Sequence, residues 1–143
     1  ATIDPLGYRH TQVFDNAGQN IASVDPLGRR TTTNYDLLGR VESTVDTLGN
    51  TSTTVYDAAG QVTASVDTLG RRTSYSYDAR GFQETVTDAL NNRTTRVYDA
   101  AGNQIASVDA LGNRTTSVFD VLNRAYVHVD ALNNRTTSVF DDG

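Results

Sequence analysis

The 143-residue chain carries seventeen acidic and twelve basic residues, a net charge of −5, and neither cysteine, methionine nor tryptophan. Without cysteine there is no disulfide framework and no thiolate metal site. The basic residues are all arginine and form no run, so the electrostatic footprint of nucleic-acid binding is missing; no stretch approaches the roughly eighteen apolar residues of a membrane span.

Ala1 to Val24 holds a first, nearly complete unit, which departs from its successors at Tyr8 and His10. From Asp25 the chain settles into a phrase, D-P-L-G-R-R-T-T-T-N-Y-D-L-L-G-R-V-E-S-T-V, and Asp46 begins it again. Leading aspartates stand at Asp4, Asp25, Asp46, Asp67, Asp88, Asp109 and Asp130, twenty-one residues apart. The unit from Asp67 carries Tyr75 and Tyr77 and the irregular Arg80-Gly81-Phe82; the unit from Asp88 opens D-A-L-N-N-R; the unit from Asp109 ends A-Y-V-H-V. Repetition at a fixed period marks an array in which each unit contacts its neighbours. Residues 1–143 therefore read as one continuous array of about seven repeats, and, with a cap at neither end, as a segment of a longer polypeptide.

Each unit divides in two. A second aspartate follows an aromatic residue at Asp15, Asp36, Asp57, Asp78, Asp99, Asp120 and Asp141. Three residues after a leading aspartate stand Gly7, Gly28, Gly49, Gly70 and Gly112, otherwise Asn91 and Asn133. After the second aspartate stand Gly18, Gly39, Gly60, Gly81 and Gly102, otherwise Asn123. Aspartate accepts backbone hydrogen bonds at the start of a turn, and Pro5 and Pro26 preset φ at the next position. A type I turn closed by a left-handed residue is a hairpin loop, and only glycine, then asparagine, takes that conformation easily. The predicted fold is all-β: an up-and-down antiparallel meander with about ten residues per strand and turn.

The columns predict which residues share a face. Leucine recurs two places after each leading aspartate, at Leu6, Leu27, Leu48, Leu69, Leu90, Leu111 and Leu132. Small residues such as Ala22, Ala64 and Ala106 alternate with Val24, Val66 and Val108. These and the aromatics are read as one apolar face. Val13, Val55, Val97 and Val118 then point to the other face, among Thr, Ser, Gln, Glu and Arg. Such a sheet must curl or pair. Fourteen strands about 4.8 Å apart make a ribbon about 65 Å wide, enough for a ring about 20 Å across.

Candidate chemistry is sparse. The aspartates read as turn formers: general acid–base work needs one unusual environment rather than many copies, and a single D-x-x-G supplies too few oxygens for calcium. His10 and His128 are isolated, and no nucleophile–base pattern or phosphate loop is present. No enzyme, cofactor or metal site is expected. Asn50, Asn92, Asn113 and Asn134 each open an N-x-S/T sequon just after a turn, where glycosylation is chemically feasible; the other reading is that Asn alternates with Arg there as a turn-flanking residue. The aromatic column is read as ring packing, with sugar stacking as the alternative.

Y-D-L-L-G-R at Tyr35–Arg40 and Y-D-A-A-G at Tyr56–Gly60 and Tyr98–Gly102, interleaved with D-P-L-G and D-T-L-G-R-R-T, resemble the YD repeat, also called the RHS repeat. The resemblance covers essentially the whole chain. It implies large secreted or cell-surface polypeptides whose spiral β-sheet winds into a hollow shell. In bacterial toxin complexes such a shell encloses a C-terminal toxic domain; in teneurins a similar barrel serves adhesion. The regular unit length here suits uniform curvature. The expected role is thus a structural, self-assembling wall of an extracellular tube, filament or shell. Its partners would be further repeats or copies of itself, with glycans or an enclosed cargo beyond those. The alternatives are a cocoon around a toxin domain and an adhesion or carbohydrate-binding repeat.

Overall fold

The structure, a computed structural model, describes residues 1–3 and 5–141, so the leading Asp4 lies outside the described residues. Among these every regular element is a strand. They are β1 (Thr2–Ile3), β2 (Arg9–Phe14), β3 (Asn20–Val24), β4 (Arg30–Tyr35), β5 (Val41–Val45), β6 (Thr51–Tyr56), β7 (Val62–Val66), β8 (Arg72–Tyr77), β9 (Gln83–Thr87), β10 (Arg93–Tyr98), β11 (Gln104–Val108), β12 (Arg114–Phe119), β13 (Ala125–Val129) and β14 (Arg135–Thr137). Each strand pairs with its neighbours in sequence, in one fourteen-stranded antiparallel sheet ordered β1 to β14. The chain divides into two compact units, Ala1–Arg72 and Thr73–Gly143.

In the first unit the pairing has one recurring irregularity. The register shifts between Val13 and Phe14, between Asn34 and Tyr35, and between Val55 and Tyr56. Asn34 stands opposite Ser43 but Tyr35 opposite Val41, leaving Glu42 as the extra residue of a bulge. The second unit repeats it before Tyr77, Tyr98 and Phe119. A bulge therefore accompanies the second turns at Asp15, Asp36, Asp57, Asp78, Asp99 and Asp120.

This bulge corrects the predicted faces. Val13 pairs directly with Ala22, Val55 with Ala64, Val97 with Ala106 and Val118 with Val127. Direct partners point the same way, so the small-residue column shares its face with these valines, and the rings lie on the opposite face. One extra residue moves every side chain beyond it to the other side. Ala22, Ala64 and Ala106 are 1%, 0% and 2% exposed; they sit low between larger neighbours in adjacent strands. The leucine column is not in the apolar face at all. Those seven side chains stand in the first turns and are 75–88% exposed.

The register also carries a stagger. Crossing from β2 to β4 leads from Val13 through Ala22 to Thr32, whereas the residue one repeat beyond Val13 is Asn34. Thr32 leads in turn through Val45 to Thr51, again two short of the repeat. Two residues along the strands per two strands across corresponds to a slant of about 35°.

Within each unit the strands, each paired with its neighbours in sequence, form a single layer. No large side chain among the described residues is fully buried. Ladder hydrogen bonds and cross-strand pairs, each about 0.2–1 kcal/mol, carry stability that a core carries elsewhere.

Candidate functional site

The repeated chemistry lies in the turns and in the rings beside them. In the turn from Asp36, the Gly39 N–H donates to the Asp36 carbonyl at 3.0 Å and the Asp36 N–H to the Arg40 carbonyl at 2.9 Å. The carboxylate closes the loop from inside: Asp36 Oδ1 accepts the Leu38 and Arg40 N–H groups, both at 2.9 Å. The same pairs of backbone bonds recur from Asp15 to Asp130. Gly7, Gly18, Gly28, Gly39, Gly49, Gly60, Gly70, Gly81, Gly102 and Gly112 take φ between +77° and +91°, and Asn91, Asn123 and Asn133 take +60° to +65°.

The second carboxylate oxygen is also engaged. Asp25 and Asp67 hold Arg29 and Arg71 through Nε at 2.6 Å. Asp46, Asp88, Asp109 and Asp130 instead accept Nδ2 of Asn50, Asn92, Asn113 and Asn134, each at 2.8 Å. Arginine and asparagine are thus two versions of one lock, placed four residues after the aspartate. The four sequon asparagines are these locks, so a glycan on any of them competes with a turn bond. Asn113→Arg is expected to change stability by less than about 0.5 kcal/mol in a denaturant titration; a larger loss would contradict the equivalence.

With its oxygens shared in this way, an aspartate has little left for a cation or a proton relay. No group of three or more His, Asp or Glu able to hold a metal occurs among the described residues. The exposed His128 has its Nδ1 3.4 Å from Oγ of the half-buried Ser117; His10 is exposed in β2.

At Asp25, Asp36, Asp46, Asp67, Asp78, Asp88, Asp99, Asp109, Asp120 and Asp130 the hydrogen bonds hold the carboxyl below its ordinary range. At Asp46, Asp88, Asp109 and Asp130 the asparagine amide is the main cause, followed by the same residue's backbone N–H. At Asp36, Asp67 and Asp120 the main cause is the arginine backbone N–H. A carboxyl lowered on folding stabilises the fold fully above its ordinary value of 3.8, and that contribution disappears as the pH falls through the lowered value. The strand signal in circular dichroism is therefore expected to be level from neutral pH down to about 4 and to fall below it. A loss beginning above about pH 5 would contradict this.

The second turns add a ring. Tyr35, Tyr56 and Tyr98 hydroxyls donate to the carbonyls of Asn20, Val41 and Gln83 at 3.1, 3.0 and 3.2 Å. Each ring thus reaches across to the adjacent preceding strand, at the residue where that strand leaves the preceding second turn. The Arg40 guanidinium lies 4.4 Å over the Tyr56 ring, its Nε binds Asp36 at 2.7 Å, and its Nη1 donates to the Asp57 carbonyl at 3.3 Å. Arg124 repeats this with Phe140, Asp120 and the Asp141 carbonyl. One arginine therefore ties its own turn to the aromatic-aspartate pair of the next repeat.

The irregular turn at Arg80-Gly81-Phe82 makes the same tie with exchanged parts. Phe82 stacks on Tyr98 at 5.0 Å, while Arg80 binds Asp78 at 3.0 Å and donates to the Asp99 carbonyl. In the next repeat Asn103 makes it with Asp99 and with the left-handed Asn123. Sequence reasoning placed the turns but missed this tie. Its signal was the arginine one place after the left-handed residue of the second turn, at Arg40 after Gly39 and Arg124 after Asn123.

Comparison with known proteins follows from this geometry. The RHS Repeat family profile matches residues 14–51 and 56–93. A search of curated proteins found no match. The fold matches a crystal structure of TcdB2-TccC3-Cdc42 with a TM-score of 0.69 at 17% identity, covering 85% of this chain and 7% of that one. It matches the Photorhabdus luminescens Tc holotoxin pore with a TM-score of 0.68, at the same identity and coverage. A third match, TcdB2-TccC3 without its hypervariable C-terminal region, gives the same values as the second. The chain thus spans a small fraction of these proteins, and at this identity the likeness is one of fold. Two tandem matches over more than half the sequence, on the turns and ties described above, place it by family: the chain belongs to the RHS repeat family.

Proposed function

We propose that this chain is wall material: a continuous array of repeats forming part of an extracellular hollow tube, filament or shell, whose activity is assembly with further repeats or copies of itself. The observation that carries this reading is the uniform stagger of two residues per repeat. Its slant of about 35° lies at the tilt that sheets adopt when they roll. The exposed second face of a single layer agrees with it, as does a carboxylate chemistry spent on turns.

The second reading is a cocoon around a C-terminal toxin domain. The fold likeness to Tc toxin chains favours it. A carbohydrate-binding role draws no support from the rings, because Tyr56 already gives a face to Arg40 and its hydroxyl to a carbonyl.

Electron microscopy of the full-length protein containing this segment tests the wall reading. Hollow projections are expected; solid globular particles would contradict it. Protease digestion of the same sample then separates the two readings, since a downstream domain enclosed by the wall survives until the wall is opened.

A further inference from the structure

The two long edges of each unit use the same turn and differ in chemistry. In the first unit the second-turn edge is partly closed: a Cβ on Gly39 would lie 2.9 Å from the Gln19 side chain and one on Gly60 would lie 3.5 Å from Arg40, while one on Gly18 meets nothing within 4 Å and Leu37 and Leu38 are exposed. The first-turn edge is open. A Cβ on Gly28, Gly49 or Gly70 meets nothing within 4 Å, and the adjoining Leu6, Leu27, Leu48 and Leu69 are 75–85% exposed. They recur about every 9.6 Å, two strand spacings.

Charge distinguishes the edges as well. At the first-turn end of this unit Arg9, Arg29, Arg30, Arg71 and Arg72 outnumber Asp25, Asp46 and Asp67 among the described residues. At the second-turn end Asp15, Asp36, Glu42 and Asp57 stand against Arg40 alone, a net charge of −3. The second unit shows a weaker contrast: three arginines and three aspartates cancel at the first-turn end, while Asp78, Glu84, Asp99, Asp120 and Asp141 outnumber Arg80, Arg96 and Arg124 at the other.

We propose that the first-turn edge docks head to tail on the second-turn edge of a second copy of this chain, the leucines seating between its acidic turns. The two edges share one repeat length and one slant, so each leucine meets an equivalent turn, and the opposite charges set the polarity. Like edges meeting about a two-fold axis would place leucine on leucine with no charge contrast. A head-to-tail contact leaves a free edge of each kind and extends. The proposal deepens the wall reading and rests on it, naming what one layer of wall binds.

Disulfide trapping tests it, in a chain that has no cysteine of its own. Leu48→Cys and Ala59→Cys copies, both changed at exposed turn positions, are mixed under mild oxidation. The mixture is expected to cross-link at least about tenfold faster than either variant alone. The rate should fall in 1 M salt, where the Debye length is about 3 Å, and fall at least tenfold when Leu27→Asp and Leu69→Asp are added to the Leu48→Cys copy. Leu48→Cys cross-linking to itself as fast as the mixture, or no cross-link in any combination, would overturn the proposal. Circular dichroism verifies that each variant is folded. Such a failure would leave the wall reading standing, because that reading is tested separately by hollow projections and by wall thickness.

Discussion

Gly102→Val is expected to destabilise the sheet by about 3–5 kcal/mol, while Gly112→Val costs about 1–2 kcal/mol. Both glycines are left-handed, at φ +91° and +83°, where a β-branched residue is a true outlier. They differ in what stands beside them. A Cβ on Gly102 would lie 2.8 Å from the Phe82 ring, whereas one on Gly112 meets nothing within 4 Å. Phe82 cannot yield easily, since it is stacked on Tyr98. At Gly39 the neighbour is the far end of the Gln19 side chain, which moves at little cost; Gly39→Asn should therefore be mild. Urea titration of the three variants checks the order, and equal losses at Gly102 and Gly112 would contradict the stacking of second turns.

Tyr56→Ala is expected to cost about 2–4 kcal/mol and Tyr56→Phe about 1 kcal/mol. The alanine variant removes the plate beneath Arg40 as well as the bond to the Val41 carbonyl; the phenylalanine variant removes the bond alone. Phe14 occupies the same column but is 54% exposed, so Phe14→Ala should cost less than about 1 kcal/mol. If Phe14→Ala and Tyr56→Ala lose equally, the rings do not act by covering the preceding turn.

The order of strands was legible because two residue types tolerate positive φ, and those two alone fill the turn-closing positions. The faces were not legible by alternation. Leading aspartate to ring aspartate is eleven residues, as from Asp25 to Asp36, and ring aspartate to the next leader is ten, as from Asp36 to Asp46. The eleventh residue lengthens the ring-bearing strand, but the residue that resets the faces is Glu42 in the ten-residue half: without that bulge Thr33 would stand opposite Ser43 and the rings would share the alanine face, whereas Asn34 stands there instead. Leu27 misled for a related reason. Its column looks like a core column, but it lies inside a turn, where no strand periodicity applies. The arginine tie escaped because Arg40 and its carbonyl partner on Asp57 are seventeen residues apart, and only the assembled sheet brings them together. Of the chemistry, the alternation of Asn50 with Arg29 as turn-flanking residues was legible in the sequence; the side-chain bond that each makes to its aspartate was not, because only the folded turn brings the two groups together.

The account stands or falls on a wall one sheet thick. Small-angle X-ray scattering of the chain in solution gives the thickness from its flat-particle region. A single layer, including copies joined edge to edge, should measure about 10 Å, and two sheets packed face to face about 20 Å. The lower value is the predicted result; the higher one would show that the exposed faces find each other, and would contradict the wall.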